Sequence, residues 1–371
     1  MNSSAKCLSV GVILLVATAL SFAQSPYYVL TNDEGTANTA TVFNLNPGNG
    51  SLREVMTLDT GGSSYTGGFF AAATQIITPG AKCVFVADGA DPADIAAFSK
   101  ATNYAKVGNY SDGQLSAGDN MPMVVNSQGT LLYAAYAASF NLAVWTINSD
   151  CSLSLANVYS TTPFLGTLAI THDGKYLLAT YQIVNKVGSF TISGSSLTDN
   201  GAKKAPADVS GMAITNDDKL VIMGTAYNSS HPSDLVTATL PAFTNMQVWS
   251  LGPGYSAGSV ALSPAGAAGN GCVYIGNTGS GNANQSGVSG VKFTENPLAF
   301  TYVNIAVSPL ADYVGSVQTI ANTGNGGGVY AAETAGYVGV YAAHNDCSVK
   351  LVKETADPNS TSLFSLTSWV Q

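Results

Sequence analysis

Apolar and polar residues along this chain alternate in short bursts, not in helical periods. The stretch 168–200 shows the unit. Residues 168–171 form a short apolar run, and His172-Asp173-Gly174-Lys175 reads as a turn. Gly174 gives the turn a permissive backbone and Asp173 a local side-chain hydrogen bond. Residues 176–180 form a second apolar run, and 186–192 alternate as a third. Ser193-Gly194-Ser195 then turns the chain into a fourth. The pattern predicts four antiparallel strands, here lettered A to D.

The unit recurs. The A strand and its turn reappear at 76–80, 124–129, 169–174, 213–218, 261–266 and 319–324, most of them about 45 residues apart. The fifth interval is longer because 276–290 carries a Gly/Asn/Ser-rich insertion. A B strand follows each turn, at 84–87, 131–135, 176–179, 220–224, 273–276 and 329–332. The two ends of the chain complete each other. Residues 27–31 read as a B strand with no A strand before it, followed by C (40–45) and D (52–58). Residues 362–370 read as an isolated A strand with nothing after it. Seven four-stranded sheets in a ring, the first closed by the C-terminal strand, make an all-β seven-bladed β-propeller. Closure removes an unpaired edge, so loss of the last ten residues should destabilise the whole ring. One segment competes with this register: Asp91-Pro92-Ala93-Asp94 looks like a capped helix start. The repeat assigns 95–99 to strand C of the second blade, and tertiary context overrides weak local propensity.

Composition then sets the compartment and the partners. Lys6, the apolar run 8–20 and Ser21-Phe22-Ala23 read as a secretory signal (1–23) cut after Ala23. The run is too short for a comfortable membrane span. A single propeller domain over 24–371, secreted or periplasmic, is the expectation, with no membrane span; a monomer is expected. Charged residues make up 9% of the chain, well below the usual share, and Gly numbers 39, which suits short strands and many turns. The formal net charge of −9 argues against nucleic acid as a partner. Arg53 is the only arginine, so bidentate capture of phosphate or carboxylate is scarcely provided for.

Four cysteines follow the signal, an even number in an exported chain, which favours disulfides. The repeat register selects one of three pairings. Cys83 and Cys272 both stand just before a B strand, and Cys151 and Cys347 both stand in a C–D turn. A–B and C–D turns share one face of a propeller. Cys83–Cys151 would join blades two and three, and Cys272–Cys347 blades six and seven. The other pairings would cross the ring, beyond disulfide reach.

With these features in place, the chain resembles the seven-bladed β-propeller lactonase family, which includes 6-phosphogluconolactonase-like and carboxymuconate-cyclase-like proteins. The resemblance spans the mature chain. It rests on the turn Thr171-His172-Asp173-Gly174-Lys175, the B strand 176–180 and the hairpin strand 188–192, features shared with exported surface propellers. It implies an Arg and a His facing a central cleft, carried by a Gly-Pro-Arg-His segment leading into an A strand. The corresponding segments here, 161–167 and 252–258, hold neither residue. A hydrolase needs a group that activates water and a group that stabilises the oxyanion.

The remaining candidates cluster on the face formed by B–C and D–A loops, where propellers usually bind ligands. His172 and His344 fall on the opposite face, leaving His231, in a B–C loop, as the one histidine with a functional placement. Asp33, Glu34, Asp88, Asp91, Asp94, Asp234 and Glu333 fall at B-strand ends or in B–C loops. The Asp88, Asp91 and Asp94 spacing fits no EF-hand loop, and these acids read as solvated loop charges. Tyr136, Tyr181, Tyr227 and Tyr337 map to the same face, with Asn277 beside them. Aromatic and amide groups there would suit a carbohydrate, another small polar molecule or a protein partner; packing between blades explains the tyrosines equally well. No cofactor motif and no metal-ligand spacing is present. The expected function is a ligand- or partner-binding scaffold that lacks the family's Arg/His pair. The alternative is a lactone hydrolase or cycloisomerase that uses Glu333, Asp88 or His231 instead.

Overall fold

The computed structural model describes residues 27–46, 49–64, 74–90, 92–111, 113, 121–161, 163, 165–181, 184–225, 234–251, 255–279, 286–310, 314–320, 328–333, 335–360, 363 and 365–370. They form seven four-stranded antiparallel sheets. Blade 1 contains β1 (Tyr27–Thr31), β2 (Thr39–Asn46) and β3 (Ser51–Asp59). Blade 2 is β4 (Gln75–Ile77), β5 (Cys83–Asp88), β6 (Asp94–Ser99) and β7 (Ala105–Tyr110). Blade 3 is β8 (Met123–Val125), β9 (Leu131–Tyr136), β10 (Asn141–Ile147) and β11 (Leu153–Ser160). Blade 4 follows as β12 (Leu165–Ile170), β13 (Tyr176–Tyr181), β14 (Lys186–Ser193) and β15 (Ser196–Lys204), and blade 5 as β16 (Val209–Ile214), β17 (Leu220–Thr225), β18 (Asp234–Thr239) and β19 (Thr244–Ser250). Blade 6 is β20 (Tyr255–Leu262), β21 (Asn270–Gly279), β22 (Gly287–Glu295) and β23 (Leu298–Val307), with a short α-helical turn α1 (Pro264–Ala267) between its first two strands. Blade 7 is β24 (Val314–Ile320), β25 (Gly328–Glu333), β26 (Tyr337–Ala343) and β27 (Val349–Ala356). The last strand, β28 (Leu366–Val370), returns to blade 1 and pairs with β1 from Tyr27↔Val370 to Thr31↔Leu366.

The seven-bladed ring closed by its C-terminal strand is therefore as the repeats predict. The closing strand is shorter than the 362–370 stretch; of its first part, 362 and 364 lie outside the described residues. Residues 94–99 are strand β6, not helix, because their neighbours β5 and β7 supply pairing partners on both sides. Burial explains the sequence pattern. The second strands lie between flanking blades, so β13 is buried along nearly its whole length, whereas the outer strand β15 is exposed at almost every position. Each of the seven boundaries between adjacent blades holds its own apolar cluster. The cluster between blades 7 and 1 brings Tyr330, Val338 and Val340 against Val29, Phe43 and Leu45, residues from opposite ends of the chain.

The A–B turns show why Thr-x-Asp-x-Lys recurs. In blade 4 the Thr171 hydroxyl donates to Asp173 Oδ1 at 2.8 Å and accepts from the Tyr176 amide at 3.0 Å, while Asp173 Oδ1 accepts from the Lys175 amide at 3.0 Å. Thr215, Asp217, Lys219 and Leu220 repeat this arrangement in blade 5. The left-handed position is Gly174 in one turn (φ 72°) and Asp218 in the other (φ 56°). The Asp218 carboxylate accepts from the amides of His172 and Asp173 at 2.7 and 2.8 Å, clasping the two turns together.

Both predicted disulfides form. Cys83–Cys151 joins blades 2 and 3 and Cys272–Cys347 joins blades 6 and 7, with Cα separations of 5.5 and 5.3 Å. Both B-strand cysteines lie within their strands and not before them: Cys83 opens β5, and Cys272 is the third residue of β21. No helix among the described residues is long and apolar enough to cross a membrane.

Candidate functional site

The two ends of the chain meet at the B–C turn of blade 1. Asp33 follows β1, and its amide donates to the Thr39 carbonyl at 2.9 Å, which closes the turn. Its carboxyl group accepts from Thr31 (3.0 Å), Thr39 (2.5 Å) and Thr41 (2.9 Å). The same Thr31 and Thr41 hydroxyls lie 2.7 and 3.2 Å from the carboxylate of Asp357, which ends blade 7 just beyond β27. Asp33 is 2% exposed and Asp357 3%. Burial, with the Asp357 charge beside it, pushes the Asp33 carboxyl up to about 7.

Glu34, the next residue, is left-handed (φ 53°) and buried, and neither carboxyl oxygen has a hydrogen-bond partner. Burial raises it well above the usual carboxylate range; the Thr74 hydroxyl pulls the other way and the Asp33 charge adds to the rise.

Blades 2 and 7 repeat the theme on either side. Asp88, at the end of β5, accepts from Asn38 (2.9 Å) and Thr60 (2.8 Å), both of blade 1. A Cβ on Gly62 would overlap its carboxylate, so only glycine permits the backbone to pack so closely here. Burial pushes Asp88 up to about 7, against the opposing Asn38 and Thr60 hydrogen bonds. In blade 7, Glu333 ends β25 fully buried. Its Oε1 accepts from the Tyr341 hydroxyl at 3.0 Å, and its Oε2 has no hydrogen-bond partner. Burial, followed by the Glu354 charge, pushes Glu333 up to about 8.

These positions correct the reading of Asp88 and its neighbours as solvated loop charges. Asp88 is 1% exposed because the end of β3 and the B–C turn of blade 1 cover it. Asp94 stays half-buried and accepts from Asn109 at 2.9 Å, and Asp91 lies outside the described residues. The sector spanning blades 7, 1 and 2 thus gathers Glu333, Glu354, Asp357, Asp33, Glu34, Asp88 and Asp94. Asp357 and Glu354 had no place among the sequence candidates. Asp357, on the link after the last outer strand, meets Thr31 and Thr41 only because the ring closes, whereas Glu354, on that strand, accepts from Ser308 and lies near Glu333 without it.

The other candidates are elsewhere in the ring. Tyr136 is buried in the cluster between blades 2 and 3, and Tyr181 in the one between blades 3 and 4. Tyr337 opens β26 half-buried, and Asp234 opens β18, buried. Asn277 staples its own blade, donating to the carbonyls of Ile275 and Gly287 and to Ser289 Oγ. Tyr227 and His231 lie outside the described residues. His172 and His344 are exposed in turns on the face opposite the carboxyl sector, and Arg53 is exposed near the start of β3. Of the segments 161–167 and 252–258, residues 165–167 open β12 and 255–258 open β20, while 162, 164 and 252–254 lie outside the described residues.

A cavity of about 270 Å³ opens on the turn face between the inner strands of blades 1, 2 and 3. Ile76, Pro79, Val125, Asn126 and Thr367 are among its lining residues, none of which titrates. Among the described residues no group of three His, Cys, Asp or Glu side chains could hold a metal ion.

Solved structures of similar shape share this ring. A candidate 6-phosphogluconolactonase of Bacteroides fragilis NCTC 9343 superposes with a TM-score of 0.70 over 92% of this chain and 98% of that one, at 16% identity. The periplasmic gluconolactonase of Pseudomonas aeruginosa gives a TM-score of 0.69 over 93% and 99%, at 14% identity. A protein from Lactobacillus plantarum gives 0.71 over 92% and 99%, at 13% identity. The fold is that of the 6-phosphogluconolactonase-like propellers. At such identities the likeness is one of architecture, and function has to be argued from side chains. No family model matches the sequence, and no curated protein matches it. In this propeller the buried carboxyl groups are concentrated around the seam between the first and last blades.

Proposed function

We propose that this lactonase-like propeller is an exported binding scaffold whose loop face, around blades 7, 1 and 2, takes a neutral polyhydroxylated ligand such as a carbohydrate or a sugar lactone. The observation that carries the reading is the carboxyl sector itself. Glu333, Asp33, Glu34 and Asp88 stand at B-strand ends, while among the described residues neither Arg nor His stands at that face. A face without guanidinium or imidazole offers no bidentate capture of phosphorylated or carboxylated ligands, and the buried carboxyl groups shape the B–C turns that would present backbone and amide groups to a neutral ligand. The apolar run 8–20 and the two disulfides support export.

A second reading, lactone hydrolysis, draws support from Glu333. A carboxyl group held at about 8 is protonated at neutral pH, and a substrate that displaced the cover over Glu333 would meet a general acid in its unbonded Oε2.

The test is thermal unfolding and calorimetry with neutral sugars and sugar lactones against their phosphorylated forms, with acid release followed in the same samples. Binding of neutral ligands alone, without acid release, is the expected result. Preference for the phosphorylated forms would overturn the scaffold reading. Acid release that Glu333→Gln abolishes would replace it with the hydrolase.

A further inference from the structure

The contacts between Asp33 and Asp357 leave a shortage of protons that geometry alone reveals. Three hydroxyls, those of Thr31, Thr39 and Thr41, take part in five short oxygen–oxygen contacts with the two carboxyl groups. Each hydroxyl carries one proton and donates once. With both acids ionised, at least two of the five contacts have no proton, and two buried carboxylates face each other. A single proton kept by the pair removes one empty contact and the repulsion together, as in other carboxyl pairs that share a site.

No cation does this work instead. The ion pairs among the described residues fall on Asp173, Asp217 and Asp218, on the turn face. The titratable neighbour of the pair within its own turn is Glu34, another acid. The elements packed around it contribute hydroxyls and amides. Asn359 donates through its amide group to Thr41 at 3.0 Å and through its backbone N–H to Asp357 at 3.0 Å. Ser360 donates to the Asp33 carbonyl at 2.8 Å. From blade 2, Lys106 is held on the Thr60 carbonyl at 3.1 Å, and the charge that acts on Asp33 is that of Asp357. The location matters as much as the chemistry. Asp357, Asn359 and Ser360 stand within ten residues of Leu366, which opens β28, the strand that closes the ring.

We propose that Asp33 and Asp357 form a proton-sharing latch that holds the closing strand β28 in place in mildly acidic surroundings and loosens it as that proton leaves. The sign follows from linkage. A free Asp loses its proton near 4, whereas Asp33 in the closed ring keeps it up to about 7. Between those values the closed ring holds a proton that the opened ring does not. Closure is therefore strongest below about pH 4, weakens as pH rises to about 7, and then levels off, by about tenfold in the opening equilibrium per pH unit for one proton.

The experiment is amide hydrogen exchange of the full chain from pH 5 to 8, read by mass spectrometry over β1 and β28 and corrected for the intrinsic pH dependence of exchange. The expected result is an opening constant for β28 that rises about tenfold per pH unit to about pH 7. Asp357→Asn, which keeps the shape and adds amide protons, should flatten that slope and close the strand more tightly than wild type at pH 8. Glu333→Gln, at the boundary of blades 6 and 7, should leave the β28 slope intact. A slope unchanged in Asp357→Asn, or no slope in wild type, overturns the latch. Should Asp357→Asn fail to fold, carboxyl-carbon NMR of the wild-type chain labelled at Asp decides. A resonance titrating near 7 supports the shared proton, and all Asp resonances titrating near or below 4 exclude it.

Discussion

Glu34 concentrates three unfavourable features at one residue. A non-glycine residue in the left-handed region costs about 1–2 kcal/mol, and Glu34 adds to this a buried acid and two oxygens without a hydrogen-bond partner. Burial holds the carboxyl group neutral well above the ordinary range, so its stability contribution is complete at low pH and declines as pH rises. Glu34→Gln keeps the shape and removes the titration. In urea unfolding it should match wild type at pH 4 to within about 0.5 kcal/mol, and exceed it at pH 8. Equal effects at both pH values would show that Glu34 is not neutral in the folded chain. Sequence reasoning placed Glu34 correctly at the loop face, because a B-strand end is legible in the repeat. Its burial was not legible, because it depends on which neighbouring links fold over it. The same holds for Asp88, which the packing of Gly62 against its carboxylate encloses.

At the scale of elements the sequence was most informative, and periodicity is the reason. A local reading of 91–98 favours a helix, but the repeat demands a strand, and β6 forms. The disulfides follow from the same register, since equivalent turns of adjacent blades lie side by side. The Cys83–Cys151 link spans 68 residues, and constraining a loop of that length restricts the unfolded chain by about 4 kcal/mol on the chain-entropy model. Replacing both residues with Ser should lower the unfolding free energy by up to that amount, measured in urea without reductant. A loss below about 1 kcal/mol would mean that the blade boundary supplies nearly all the cohesion between blades 2 and 3. Contacts between elements far apart in sequence were the ones missed. Asp357 reaches Thr31 across a separation of 326 residues. The register could have located it, because blade 1 is the next blade after blade 7, and the link after blade 1 meets the B-strand end of blade 2 in the same way, Thr60 donating to Asp88.

The whole molecule depends on one strand pair. The β1–β28 pairing joins residues from the two ends of the described chain, and blade 1 has no other inner strand. Deleting 366–371 would leave β1 as an exposed edge and open the apolar cluster shared by blades 7 and 1. The expected outcome is loss of the cooperative thermal transition and formation of soluble aggregates on gel filtration. A peptide covering the deleted strand should partly restore the transition. Retention of the full transition without the strand would show that blade 1 is dispensable to the ring. The placement of the two disulfides has a mechanical corollary. They staple blades 2 to 3 and 6 to 7, and the latch sector between them has no covalent bridge. A chain pulled by its two ends should therefore give way first at blade 1. The bridged loops of 68 and 75 residues stay out of the line of force, withholding about 500 Å of contour length that appears only when reductant is added.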